Sequence, residues 1–112
     1  MPLFKVKLDE IATHDMLRKP FVPVMLTEVD DFIVNMVAIE GVDEQARVHP
    51  DHDELFIGYK GKATIMIDGK PVPLGEGDTV VVKKGQAHAA RAESRAIVLS
   101  IKDVRLLLKE KS

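Results

Sequence analysis

Three of the four histidines and one glutamate fall in two clusters. The first is the run Arg47-Val48-His49-Pro50-Asp51-His52-Asp53-Glu54; the second is His88, within Gly85-Gln86-Ala87-His88. Imidazole nitrogen and carboxylate oxygen are the donors that hold transition metals where thiolates are lacking. The chain has no cysteine, which excludes a disulfide scaffold, thiolate zinc and iron–sulfur centres, and a cysteine nucleophile. The His-Pro-Asp-His run also reads as a solvated turn, and a lone histidine is more often structural or exposed than ligating. Spacing alone leaves both readings open.

The elements that must bring these residues together read as strands. Phe32–Glu40, Glu54–Tyr59, Ala63–Asp68, Thr79–Lys83 and Arg95–Ile101 are short apolar or β-branched runs. Turn signals separate them, the strongest being Asp68-Gly69, which suits a two-residue turn with positive φ at both positions. Pro71 and Pro73 confine their segment to an edge or a loop. Many short strands with regular turns imply an antiparallel sandwich or barrel. Side chains alternate along a strand, so positions 47 and 49 share a face, and Phe56 shares one with Glu54. Val80 pairs with Val82 in the same way, and Ala90 and Ala92 with His88, which predicts a small, mainly apolar pocket. Tyr59 and Gln86 are further candidates to reach it. Phe32–Glu40 is apolar on both faces, so a second layer or another subunit must cover it; we expect a homodimer. Leu8–Leu17 is expected to include a helical turn, and Asp103 to cap a short helix over Val104–Lys109.

The motif spacing resembles that of the cupin superfamily. Gly41 is followed by five residues, Arg47-x-His49, four residues, Glu54, six residues and Gly61; Gly77 is followed by five residues, Lys83-x-Gly85, two residues, His88, three residues and Ala92. The resemblance implies an all-β fold, a double-stranded β-helix or jelly-roll barrel with short terminal helical segments. It also implies one domain over residues 1–112, with its motifs at 41–61 and 77–92, and a divalent metal (Zn, Fe, Mn or Ni) in the barrel mouth. The family's ligand positions fall on residue 47, His49, Glu54 and His88. Lys83 and Ala92 replace the motif's proline and asparagine at structural positions.

Arg47 stands where the family has a ligand, and a guanidinium has no lone pair to give. Three arrangements follow. His49, Glu54 and His88 hold the metal alone, with Arg47 turned outward or clamping an anionic substrate; or His52 replaces the missing ligand; or there is no metal and Arg47 pairs with Glu54 in a polar pocket. The resemblance thus implies a metal- or anion-binding pocket, in an enzyme acting on a small anionic metabolite or in a non-catalytic binding or sensing module, with Arg47, Phe56 and Tyr59 against the ligand. Sixteen basic residues against 18 acidic ones, and only four Phe and one Tyr, argue against nucleic-acid binding. No run suits a membrane span or a secretory signal, so a cytoplasmic location is expected.

Overall fold

One long strand organises the sheet. The computed structural model describes residues 5–12, 18–43, 46–49 and 53–103, in which a short helix, α1 (Leu8–Ala12), precedes eight strands. These are β1 (Val24–Val29), β2 (Phe32–Val42), β3 (Arg47–Val48), β4 (Glu54–Lys60), β5 (Ala63–Ile67), β6 (Lys70–Leu74), β7 (Thr79–Val82) and β8 (Ala87–Asp103). Every pairing is antiparallel. β8 is flanked on one side by β3 and then β2, and on the other by β5 and then β4. It therefore carries His88 near its start and Ser100 and Lys102 near its end. This is the all-β barrel architecture of a double-stranded β-helix.

Local chemistry explains the turns. Asp68 and Gly69 adopt φ of 49° and 81°, as the paired positive values of a tight hairpin turn require. Gly58 has a different reason: a Cβ there would lie 1.9 Å from the Gly75 carbonyl oxygen. The Gly75–Asp78 turn closes onto β4 through Gly58 N–H donating to the Asp78 carbonyl and Gly77 N–H to the Gly58 carbonyl, both at 2.9 Å. Pro71 and Pro73 sit in β6, which pairs only with β5 among the described strands, so the missing donors face no ladder.

The two faces of β2 pack separately, as alternation demands. Ile39 is buried among Phe56, Ile65, Val80, Val82 and Val98 in the barrel interior, with Val37 against them. Met36 is fully buried with Leu26 and Ile97 in a second cluster that Val6, Leu8, Ile11 and Ala12 cover. The chain's own N-terminal segment thus supplies part of the second layer. At five residues α1 is too short to persist alone, and it is held by this apolar docking, in which Leu8, Ile11 and Ala12 are each half-buried. The helical turn expected within Leu8–Leu17 is α1; residues 13–17, the helix expected over 104–109, and His52 lie outside the described residues. No helix among the described residues is long and apolar enough to cross a membrane.

Candidate metal centre

Three separate strand ends place the donors. The backbone register sets Arg47 opposite His88, so His49, two residues on, is carried past the start of β8 on the same side. Glu54 opens β4, opposite both Val82 and Lys102. Buried Phe56 follows on the same face, and Ser100, opposite Phe56, lies on that face of β8. Two clamps fix the loops. Asp53 Oδ1 accepts the Lys84 N–H at 2.9 Å, while Gly85 N–H donates to the His49 carbonyl at 2.9 Å. Asp68 brackets Ala87, its carboxylate accepting the Ala87 N–H at 2.9 Å and its own N–H donating to the Ala87 carbonyl at 2.8 Å. His88 is thereby presented from a backbone tied on both sides.

The donor atoms converge on one point. Glu54 Oε1 lies 3.1 Å from His49 Nε2 and 3.5 Å from His88 Nε2, and the three donor atoms all lie within 4.8 Å of one another. The imidazole rings stand 5.3 Å apart, and Phe56 packs 5.8 Å from the His88 ring. The other carboxylate oxygen, Oε2, accepts a 2.5 Å hydrogen bond from Ser100 Oγ, between residues 3% and 5% exposed. Burial pushes the Glu54 carboxyl up. The His49 and His88 contacts, the Ser100 hydroxyl and the Lys102 charge outweigh it, holding the group far below the ordinary carboxylate range.

His49, Glu54 and His88 are therefore positioned to hold a metal ion. Glu54 Oε1 is buried, yet close contact with two imidazole nitrogens gives it no hydrogen bond of acceptable geometry. Three donors converging on one point, with a buried carboxylate oxygen among them that lacks a well-formed hydrogen bond, suit a cation between them. Two donors about 2.1 Å from one ion lie about 3.0–3.4 Å apart, close to the spacing seen here. His88 Nδ1 is also buried without a partner, whereas a ligating histidine usually donates its second nitrogen to a neighbour.

The remaining candidates separate clearly. Arg47 lines the cavity above the donors, but its Nη1 lies 2.5 Å from Asp43 Oδ2 and its side chain is 54% exposed. It pairs with Asp43 rather than Glu54, contrary to the metal-free arrangement weighed from the sequence. Phe56 lines the cavity. Tyr59 does not: five residues after Glu54, it lies on the opposite face of β4, where its hydroxyl donates to Asp9 and it packs with the second cluster. Gln86 caps its own turn by accepting the Lys83 N–H. Ser100 and Lys102 line the cavity and were not singled out by sequence. Their signal was present, as two polar residues on one face following the apolar run Ala96–Leu99. The cavity holds about 190 Å³; a more open cleft of about 690 Å³, with Lys62, Arg91 and Arg95 on its walls, shares no lining residue with it.

Comparison with known proteins agrees with this fold. A curated relative, the uncharacterised protein YdbB of Bacillus subtilis, is 31% identical over 77 residues, covering 68% of this chain and 67% of its own. A solved cupin-2 domain protein of Shewanella frigidimarina superposes with a TM-score of 0.80 at 22% identity, over 88% of this chain and 93% of that one. Protein NMB1881 of Neisseria meningitidis gives 0.75 at 20% identity, over 88% and 98%. Residues 34–102, which hold every donor, match the Cupin domain family (Cupin_2), and the chain belongs to that family.

Proposed function

We propose that this chain is a metal-dependent enzyme in which His49, Glu54 and His88 hold a divalent Zn, Fe, Mn or Ni ion beneath a small cavity that receives a compact anionic metabolite. The observation that carries the reading is the unsatisfied Glu54 Oε1 facing both imidazoles within a donor set less than 5 Å across. Two histidines and one carboxylate leave coordination positions open to a ligand, and a bound ion would supply Lewis-acid polarisation of a ligand oxygen. Glu54 stays ionised at working pH, and Ser100 holds its Oε2 so that Oε1 keeps facing the histidines. Phe56 flanks His88 and keeps that side of the pocket dry. The wall carries Asp43, Arg47 and Lys102 as its remaining charged groups among the described residues. The single domain works in the cytoplasm as a homodimer; support for the dimer comes from Met25, Val29 and Phe32, which stay about half exposed on β1 and β2.

The test is metal content by mass spectrometry on untagged protein, before and after supplementation, for wild type and Glu54→Gln. About one ion per chain in the wild type, lost or strongly reduced in the variant, is expected. Less than about a tenth of an ion per wild-type chain after supplementation would refute the reading.

A further inference from the structure

Two cations stand on the cavity wall, and only one is already spent on a carboxylate. Arg47 is paired with Asp43 at 2.5 Å and more than half exposed. Lys102 is half-buried, lines the cavity, and lies directly across from Glu54 in the β4–β8 register. Residues opposite each other in an antiparallel pair carry Cβ atoms about 4.5–5.5 Å apart on one face, so the Lys102 stem starts beside the donor set. Its ammonium makes no hydrogen bond or ion pair among the described residues. Glu54, its nearest acidic neighbour in the register, is engaged by His49, His88 and Ser100 and feels Lys102 only as a more distant charge. Much of the remaining wall is apolar, including Val37, Ile39, Phe56 and Val98.

We propose that Lys102 is the carboxylate-binding residue of this cavity, and that its ligand is a compact aliphatic carboxylate whose acid group meets Lys102 while its body lies on the apolar wall. The role assigned to Arg47 by its place in the motif passes to Lys102, because a charge already neutralised by Asp43 gains less from a second anion. About 190 Å³ is below the roughly 300–1,000 Å³ typical of drug-sized pockets. At about 30 Å³ per water-sized unit it admits roughly six such units, which points to a short-chain acid. A single lysine suits one carboxylate rather than two, since its ammonium is a compact point donor and not a planar fork. The inference rests on the proposed function only in requiring that this cavity take a ligand.

Calorimetry with pyruvate and with pyruvamide, its neutral counterpart of equal size, tests the assignment on protein treated with EDTA and on protein loaded with zinc. Wild type is expected to favour pyruvate in both states. Lys102→Met should weaken pyruvate binding about ten- to hundredfold, the usual scale for losing a charged hydrogen bond, while pyruvamide binding and zinc stoichiometry stay unchanged. Lys102→Arg, which keeps the charge, should retain pyruvate binding within about threefold. Undiminished preference for pyruvate in Lys102→Met, or no preference in wild type, would overturn the assignment. Preserved preference in a wild type that takes up no zinc would instead sink the metal reading and leave this one standing.

Discussion

Removing one hydroxyl tests whether the metal centre is held from behind. Ser100→Ala deletes Oγ, whose 2.5 Å bond to Glu54 Oε2 joins two almost fully buried residues. A hydrogen bond to a charged group contributes about 1.5–3 kcal/mol, and its loss here leaves a buried carboxylate oxygen without that donor. The void is only one oxygen in size, so the cavity penalty is minor. We expect about 2 kcal/mol of destabilisation in EDTA, seen as a fall in Tm of roughly 8 °C for a domain of this size. In a Glu54→Gln background the acceptor is neutral, and the same deletion should cost only about 1 kcal/mol. Coupling of about 1 kcal/mol or more in this double-mutant cycle would assign the energy to the charged pair. With the carboxylate free to turn, zinc affinity should fall about 10–100-fold, as when other groups that orient a ligand are removed. Far-UV circular dichroism melts and zinc calorimetry read both arms. Equal costs in the two backgrounds, or a loss below about 0.5 kcal/mol with unchanged zinc affinity, would show that Ser100 does not position Glu54.

Three other outcomes follow from the same geometry. Gly58→Ala places a methyl group 1.9 Å from the Gly75 carbonyl oxygen and should cost more than about 3 kcal/mol, so wild-type soluble yield and Tm would contradict the closure of that turn on β4. Tyr59→Phe loses an exposed bond to Asp9, which solvent screens, and should leave Tm close to the wild-type value; a tenfold change in zinc or pyruvate binding would return Tyr59 to the site. Because the folded Glu54 carboxyl is held below its ordinary value of 4.5, its stabilising contribution is complete above that pH. It is lost as pH falls further, with a slope of up to about 1.4 kcal/mol per pH unit in metal-free protein; Glu54→Gln should flatten the urea-midpoint profile below pH 4.5, and an unaltered profile would remove Glu54 as its source.

Much of the centre was legible along the chain. The spacing of His49, Glu54 and His88 follows from motif positions, and Phe56 follows from the two-residue period, because alternation is a local property of any extended strand. The same parity puts Tyr59 on the far face of β4, so its exclusion from the site was also written in the sequence. The strand breaks were less accurate. β8 runs unbroken from Ala87 to Asp103, since Arg91–Arg95 holds no glycine or proline to stop it, whereas the sequence pattern predicts a strand over Arg95–Ile101 only.

What the sequence determined by itself was the chemistry available: no thiolates, imidazole and carboxylate donors at barrel-forming intervals, and strands apolar enough to need cover on both faces. Tertiary structure decided which charges meet. Arg47 pairs with Asp43, four positions earlier, Ser100 finds Glu54, 46 positions away, and α1 covers a face that the sequence left to a second layer or another subunit. The Ser100–Glu54 pairing depends on the register between β4 and β8, where a slip of one residue turns every side chain to the other face. Residues distant in sequence carry no local mark of that register. Lys102 was therefore only a polar residue near the end of an apolar strand until the fold set it opposite Glu54.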